Sequence, residues 1–407
     1  MRLPVPHNQE GTAHMHEATR FIHDHGDELR KEYRPSEELG KLSDRAVEIL
    51  KESGGLRLLL AKDLGGYEAH PADFFEWVIA VGTYHPAAGW IASVCGVHPY
   101  EFSMMNPKVR EEVYGSDPNT LVASPYAPMG RARPVEGGYL LTGRWPYSTG
   151  TDHSDWVVLG GMVTDDQNEV PHHGTPDVLH FVLPKGSDYE IVEGTWNVMG
   201  LVGTGSKDVM MKDAFVPEYR TVREDEMTEN VNAEQYRPDS PLYHMRFFTL
   251  FTATIVAGTY GVASGLLREL REYFGTRVNV VGQSAATDPF ILAALARAEA
   301  DIDASIRHLL WNVGELYDWV AAGNAVTVQQ RIDFRRNQVA GTARSVTAVN
   351  DLYRLAGSQA VQKRHLIEGF YRDLQVAQAH FGNAANPVLV GWGLHAFGND
   401  VPSTVFF

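Results

Sequence analysis

Residues 302–320, IDASIRHLLWNVGELYDWV, place apolar side chains at steps of three and four residues. Polar and charged residues fall between them, so one face of a helix would be apolar and the other solvated. This period predicts a long amphipathic helix packed in a bundle, with apolar positions at Ile302, Ile306, Leu309, Val313, Leu316 and Val320. A second helix of this kind is predicted from Ile332 to Ala356, where Gly357 ends it.

The segments before this bundle have different patterns. From Ala13 to about Arg110, helical periodicity alternates with short breakers, whereas residues 121–222 contain short β-rich runs cut by Gly and Pro. The turn around Gly137 joins two of these runs as a hairpin. We predict an α+β fold with a helical N-terminal domain (1–120), a central antiparallel β domain (121–222) and a C-terminal helical bundle (223–407). Residues 224–240 are polar, and we expect them to be mobile.

The composition argues against several classes of protein. The chain has 407 residues, 44% of them hydrophobic, and a formal charge of −16, which disfavours nucleic acid and anionic membranes as partners. Its single cysteine, Cys95, excludes an internal disulfide framework and fits a reducing compartment. The first residues lack a signal-peptide pattern, and the apolar runs are interrupted before the roughly 20 residues that a bilayer requires. We therefore expect a soluble, cytoplasmic protein with no membrane partner.

A glycine-rich stretch, GLVGTGSKD (200–208), fits neither common nucleotide-binding motif. In a phosphate loop Lys directly follows the second glycine, whereas here Ser206 intervenes and Asp208 follows Lys207. A dinucleotide-binding motif requires a strand, a turn and a helix, but both flanks, 196–199 and 209–211, resemble strands. What remains is a 203–206 loop whose N–H and hydroxyl groups could hold a flavin edge or a phosphate, with a plain tight connection as the alternative.

The remaining motifs give weaker signals. Three histidine pairs lack the spacing of a metal site: His14/His16, His23/His25 and His172/His173. This spacing predicts no metal site. No G-x-S-x-G elbow is present, so we predict no hydrolase chemistry. The stiff loops SPYAPMG (124–130) and GRWPYSTG (143–150) can hold small polar groups beside a planar ligand, with structural turns as the alternative. Asp373 and His380 are spaced to share one face of a helix.

Five motifs, taken in order, together resemble one family across almost the whole chain. They are GW…GVH (89–98), SPYAPMG (124–130), GRWPYSTG (143–150), WNVMGLVGTGS (196–206) and FYRD…H (370–380). The family is the acyl-CoA dehydrogenase fold in its two-component flavin monooxygenase branch. The chain is similar to the oxygenase components that hydroxylate 4-hydroxyphenylacetate and a seco-steroid phenol. The resemblance implies a helical N-domain, a β-barrel-like middle domain and a C-terminal four-helix bundle that forms a homotetramer.

The resemblance also implies roles for individual residues. As catalytic residues, His98 and Ser124 match positions near the phenolic substrate, and His380 matches the histidine of the C-terminal active-site helix. Thr149 with Ser148 matches the hydroxyl that faces flavin N5. The other implied cofactor contacts are Trp145, Gly203, Thr204, Gly205, Ser206 and Arg277, the last matching an arginine at a subunit boundary.

In the resembled branch, a separate reductase supplies reduced FMN or FAD. Reaction with O₂ gives a C4a-hydroperoxide, which transfers oxygen to an electron-rich ring. The resemblance therefore implies an aromatic hydroxylase whose partners are a flavin reductase and a small aromatic substrate. His98 or His380, poised near neutral pH, would accept the phenol proton, and Ser124 would orient the phenol hydroxyl. N- or S-oxygenation by the same branch, an acyl-CoA dehydrogenase with bound FAD, and a non-catalytic flavin-binding scaffold are the alternatives.

Overall fold

The N-terminal segment is helical, and three of its helices begin with proline. The computed structural model describes residues 15–165, 169–170, 177–186, 189–278, 282–402, 405 and 407. The helices before the sheet are α1 (Glu17–Asp24), α2 (Gly26–Lys31), α3 (Tyr33–Leu39), α4 (Asp44–Glu52), α5 (Pro71–Tyr84), α6 (Pro86–Gly96), α7 (His98–Phe102) and α8 (Pro107–Tyr114). In α5, α6 and α8, the side chain before the first proline accepts an N–H of the first turn. Only Val97 separates α6 from α7, so His98 is held at the start of a helix.

A mixed β-sheet follows these helices. Its strands are β1 (Val122–Ala123), β2 (Gly130–Val135), β3 (Gly138–Ser148), β4 (Trp156–Val163), β5 (Val178–Pro184), β6 (Tyr189–Val192), β7 (Lys207–Pro217) and β8 (Thr221–Arg223). The order is β6-β7-β3-β2-β4-β5-β8, with β1 beside β4. The predicted β2–β3 hairpin is present, and Gly137 adopts a φ of +80° in its turn.

The sheet departs from the prediction in one respect. Most pairings are antiparallel, but β1 and β2 each run parallel to β4. A parallel pairing requires a crossover, which residues 149–155 provide between β3 and β4. The sequence did not reveal this pairing because a crossover, unlike a hairpin, leaves no local turn signal.

The C-terminal segment is a helical bundle. Two short helices, α9 (Glu224–Glu229) and α10 (Val231–Tyr236), lead into α11 (Phe247–Thr276), α12 (Pro289–Ala321), α13 (Val328–Arg354), α14 (Leu366–Gln378) and α15 (Ala385–Ala396). Helix α12 contains the 302–320 repeat, and α13 covers most of the second predicted helix. Gly357, with a φ of +70°, follows the end of α13. The predicted bundle is therefore confirmed.

Helix α11 lies at the centre of the protein. Its length and apolar composition would suffice to cross a membrane, but its whole apolar stretch is buried within the structure. One hydrophobic core joins Trp77 and Trp90 of the N-terminal helices to Ile255 of α11 and Val313 of α12. The sheet has its own core around Trp145. The type of element changes near the predicted boundaries at 120 and 222, but the independence of these segments as domains stays a prediction.

Two further stretches correct the sequence analysis. Residues 224–240, expected to be mobile, contain α9 and α10, which bury Met227 and Ala233. Asn230 links these two helices in a left-handed conformation, and its side-chain N–H donates to Tyr243 O at 2.9 Å. Residues 196–199 are not a strand, whereas 209–211 lie in β7 as expected. The His172/His173 pair lies outside the described residues.

Candidate active site

His98 is buried at the start of α7 with a hydroxyl group beside each ring nitrogen. Ser124 Oγ lies 2.6 Å from Nε2, and Tyr126 Oη lies 2.8 Å from Nδ1. Both hydroxyls come from the proline-stiffened segment that follows β1. The structure therefore brings together His98 and Ser124, two of the three catalytic residues that the resemblance implied.

The hydrogen bonds of this group fix where the protons lie. Tyr126 donates its hydroxyl proton to Glu101 at 2.5 Å, so its oxygen accepts from His98 Nδ1–H. The Nε2 lone pair of His98 then accepts the hydroxyl proton of Ser124. Burial lowers the pKa of His98 to about 4, which corrects the prediction of a histidine poised near neutral pH. The cause is desolvation, because charge on this ring cannot be stabilised by water.

His380 lies beyond the end of α14, so the predicted helical face shared with Asp373 is wrong. The last residue of α14 is Gln378. His380 Nδ1 accepts the N–H of Gly382 at 3.0 Å, and this contact caps the short turn that follows. A side chain that binds a nearby backbone N–H competes with helix continuation.

Asp373 has a structural role instead. Its carboxylate accepts the N–H of Leu201 at 2.5 Å and the hydroxyl of Tyr33 at 2.9 Å. Burial raises the pKa of Asp373 to about 7. These bonds attach the start of the glycine-rich loop to α14, and a Cβ at Gly200 would lie 2.3 Å from Arg372 O.

Aromatic rings connect His380 to the His98 group. The His380 ring centroid lies 5.5 Å from Trp90 and 6.5 Å from Phe251. Phe251 in turn lies 6.0 Å from the ring of Tyr126. Burial, with a smaller effect of the Arg335 charge, lowers the pKa of His380 to about 4. The two histidines are therefore both neutral at pH 7 and border one aromatic region.

The end of β3 and the glycine-rich loop meet through a chain of hydroxyls. Gly150 N–H donates to Thr204 O at 3.0 Å. Thr204 donates its hydroxyl proton to Leu201 O, so Ser206 donates to Thr204, and Thr149 donates to Ser206 at 3.0 Å. Because Thr149 donates its hydroxyl proton to Ser206, its oxygen can only accept a hydrogen bond from a ligand, for example from an N–H group. The structure brings together the predicted residues Ser148, Thr149, Gly203, Thr204, Gly205 and Ser206.

These residues fit a flavin. The hydroxyl of Ser148 is buried and has no hydrogen-bond partner among the described residues, so it can bond to a bound group. Next to it, Tyr147 is 70% exposed, adopts a φ of +63°, and packs edge-on against Trp196 at 6.2 Å. An exposed ring beside hydroxyl acceptors suits a planar ligand with polar edges. Tyr147 stands in the 143–150 motif, yet the sequence analysis assigned it no role.

Trp145 does not fit the cofactor role that the resemblance implied. Its ring is fully buried in the core of the sheet, and its indole N–H donates to Gly160 O at 2.7 Å. A Cβ at Gly143 would lie 2.7 Å from this ring, so the glycine makes room for the indole. Trp145 is therefore a packing residue, because no face of its ring remains for a ligand.

Arg277 lies far from this site within one chain. It follows the last residue of α11, and its guanidinium donates to Ala356 O. Phe251 lies 26 residues earlier in the chain, a helical rise of about 39 Å. Arg277 is therefore remote from Phe251 of the same chain, and its predicted place near a flavin at a subunit boundary stays a prediction.

Three residues of the site were missed in the sequence. Glu101 follows His98 by one helical turn, Tyr126 lies within the 124–130 motif, and His180 reaches the group from β5. The spacing of Glu101 was the one local signal, since the other contacts join distant segments. The structure shows no set of three or more His, Cys, Asp or Glu within the described ranges that could hold a metal ion.

Comparisons with known proteins agree with this geometry. A family model described as acyl-CoA dehydrogenase, C-terminal domain, matches residues 253–385. The pigment production hydroxylase of Rhodococcus erythropolis is 39% identical over 376 residues, which cover 92% of this chain and 94% of that protein. The flavin-dependent monooxygenase oxygenase subunit HsaA of Mycobacterium tuberculosis is 35% identical over 373 residues, which cover 91% and 93%.

Solved structures give the same result. The crystal structure of 3-HSA hydroxylase from Rhodococcus sp. RHA1 matches with a TM-score of 0.88 at 33% identity, over 96% of this chain and 98% of that one. These relatives are named as hydroxylases and monooxygenases, which argues against the alternatives of a dehydrogenase and of a non-catalytic scaffold. The chain therefore belongs to the flavin-dependent monooxygenases, as an oxygenase component that uses reduced flavin and O₂ and has the acyl-CoA dehydrogenase fold.

Proposed function

We propose that this enzyme hydroxylates the ring of a phenol and that His98 is the base that accepts the phenol proton. The observation that carries the proposal is the 2.6 Å contact between Ser124 Oγ and the lone pair of a neutral, buried His98. Two relatives, 26% identical each, are named p-hydroxyphenylacetate 3-hydroxylase and resorcinol hydroxylase, and both names specify phenols. A thioether substrate would give His98 and Ser124 no proton to accept.

On the substrate side, the phenol hydroxyl donates to Ser124 Oγ, and Ser124 passes its own proton to His98 Nε2. A phenol with a pKa of about 10 is mostly protonated at pH 7, and removing its proton makes the ring carbons more nucleophilic. His98 must be neutral to act in this way, and burial keeps it neutral. The aromatic rings of Trp90, Phe251 and Tyr126 provide apolar walls for the substrate ring.

On the flavin side, reduced flavin together with O₂ supplies the oxygen atom for the ring. Thr149 Oγ accepts a flavin N–H, because its own proton is committed to Ser206. The hydroxyl of Ser148 would provide a second polar contact, and the 203–206 loop would border the edge of the ring. Thr149 would hold this flavin N–H in place, and the apolar walls would exclude water.

We propose that the enzyme is a homotetramer. Helices α12 and α15 expose large apolar side chains, and the segment after α15 adds Phe397, which is 88% exposed. The exposed residues on the helices include Phe290, Trp311, Trp319, Leu389 and Val390. Exposed apolar side chains of this size often lie in an interface, and obligate interfaces bury more than about 2,000 Å². Assembly would also allow Arg277 of one subunit to approach the flavin of another.

We further propose that a separate reductase supplies the flavin and that the enzyme is cytoplasmic. The relatives are named oxygenase subunits or components, which implies a second component. The sequence lacks a nucleotide-binding motif for NADH. The single buried thiol of Cys95 is compatible with a reducing compartment.

The test supplies purified enzyme with chemically reduced FMN or FAD, O₂ and three probes. The probes are p-hydroxyphenylacetate, its O-methyl ether and an aryl thioether of similar size. We expect ring hydroxylation of the phenol and hydrogen peroxide alone with the ether. Oxygenation of the thioether at a higher rate than the phenol would instead establish S-oxygenation, and equal rates for phenol and ether would contradict the role of proton removal.

A further inference from the structure

Glu101 is a buried carboxylate that faces two imidazoles. Its side chain is 1% exposed, and each of its oxygens lies 3.9 Å from a histidine Nδ1, Oε2 from His98 and Oε1 from His180. Oε2 accepts the hydroxyl of Tyr126, whereas Oε1 has no hydrogen-bond partner among the described residues. Burying a carboxylate costs free energy unless hydrogen bonds or opposite charges compensate for the lost water. A carboxylate with one unpartnered oxygen is therefore expected to have a function.

Tyr126 donates a hydrogen bond to this carboxylate, and His180 packs against Tyr126. The His180 ring packs on the Tyr126 ring at 4.8 Å with 30° between their planes. His180 comes from β5 and Tyr126 from the segment after β1, so the sheet and α7 meet around Glu101. Tyr114 of α8 also faces the group, and the Glu101 charge contributes to the raised pKa of its hydroxyl. The groups around Glu101 are therefore two imidazoles and two neutral phenols.

We propose that Glu101 is a positioning residue for proton removal from the substrate. Through Tyr126 it holds His98 in the tautomer that can accept a proton, and its charge offsets the charge that His98 then acquires. This inference rests on the phenol hydroxylation proposed above. The phenol proton moves to Ser124 Oγ, the Ser124 proton moves to His98 Nε2, and no proton passes to Glu101.

The direction of the hydrogen bonds supports this role. Tyr126 donates its hydroxyl proton to Glu101, so the Tyr126 oxygen can only accept from His98 Nδ1. If the carboxylate were absent, Tyr126 could donate to Nδ1, and His98 would present N–H instead of a lone pair to Ser124. Burial lowers the pKa of His98, and the Glu101 charge opposes this effect. The interaction between Glu101 and His98 is stronger in the protein interior than it would be in water.

The test uses E101Q, whose amide keeps the size of the side chain and removes its charge. Two phenols are compared at pH 8 with reduced flavin: one with a pKa of about 10, of which about 1% is ionised, and a ring-fluorinated form with a pKa of about 7, of which about 90% is ionised. The first phenol needs a base, so E101Q should lower its hydroxylation about 100-fold. The second is already ionised, so E101Q should hydroxylate it at nearly the wild-type rate.

Two further variants separate positioning from packing. Y126F removes the hydroxyl that links Glu101 to His98 but keeps the carboxylate, and it should give the same pattern as E101Q even where E101Q folds poorly. Y114F removes a buried hydroxyl that faces Glu101 and has no hydrogen-bond partner among the described residues, so it should behave as wild type. The rate of E101Q with the weaker acid should also rise with pH as the free phenol ionises.

The outcomes distinguish this inference from the proposed function. Equal losses with both phenols, or no loss with either, would overturn the role of Glu101 while wild-type phenol hydroxylation still stands. A wild-type enzyme that hydroxylates neither phenol would overturn both.

Discussion

Replacing His98 by glutamine tests the assignment of the base most directly. Glutamine can keep a hydrogen bond to Ser124 and another to Tyr126, but it cannot take a proton at neutral pH. Full transfer of a proton from a phenol of pKa about 10 to an imidazole of pKa about 4 costs about 8 kcal/mol. The transfer must therefore accompany attack by the ring, and loss of a general base typically slows such a step by about 10² to 10⁴.

The assay measures hydroxylated product and hydrogen peroxide for each reduced flavin consumed. H98Q should consume flavin at the wild-type rate, because Thr149 and Ser148 are intact, but it should release most of the oxygen as peroxide. H380N is the matched control, since an asparagine oxygen can still cap the N–H of Gly382. Full coupling in H98Q, or a larger loss in H380N, would refute the assignment of His98 as the base.

Three other expectations follow from the geometry. T149V should raise the rate of peroxide release in the absence of substrate about fivefold, which corresponds to about 1 kcal/mol for one hydrogen bond, whereas T149S should not, and the time course of peroxide release distinguishes the two variants. Asp373 holds a proton in the folded state that the unfolded chain releases above about pH 4, so wild-type stability should fall as pH rises from 4 through 7. The free energy of unfolding of D373N relative to wild type should therefore rise by about 4 kcal/mol between pH 4 and 8, as measured by thermal melts. A difference that does not change with pH would contradict the raised pKa of Asp373. Light scattering should give four times the 45.2 kDa chain mass, and a monomer mass at micromolar concentration would contradict the tetramer.

Elements with a local pattern could be predicted from the sequence. The apolar period of residues 302–320 predicts α12, and the glycine turn at 137 predicts the β2–β3 hairpin, because both depend on residues close together in the chain. The parallel pairings of β4 and the helices α9 and α10 could not be predicted in this way. They depend on burial against distant segments, as Met227 and Ala233 illustrate.

The same division holds for the candidate site. The resemblance implied that His98 and Ser124 lie near the substrate and that Thr149 and Ser206 lie along the flavin, and the contacts at 2.6 and 3.0 Å bring each pair together. The burial of Trp145 and the exposure of Tyr147 depend on how β3 is packed, which a motif does not specify. Whether each of the matched residues acts as the resemblance implies stays a prediction until the variants are measured.

The central place of α11 has a consequence for how the chain folds during synthesis. The N-terminal helices α5 and α6 pack against α11, yet more than 240 residues leave the ribosome before α11 does. Until α11 has been synthesised, the apolar faces of α5 and α6 lack a partner. The N-terminal helices therefore cannot complete their folding before α11 emerges. A fragment ending at residue 120 should aggregate, whereas co-expression with the remainder of the chain should restore soluble protein. Recognition of nascent α5 and α6 by chaperones would therefore protect this enzyme during its synthesis.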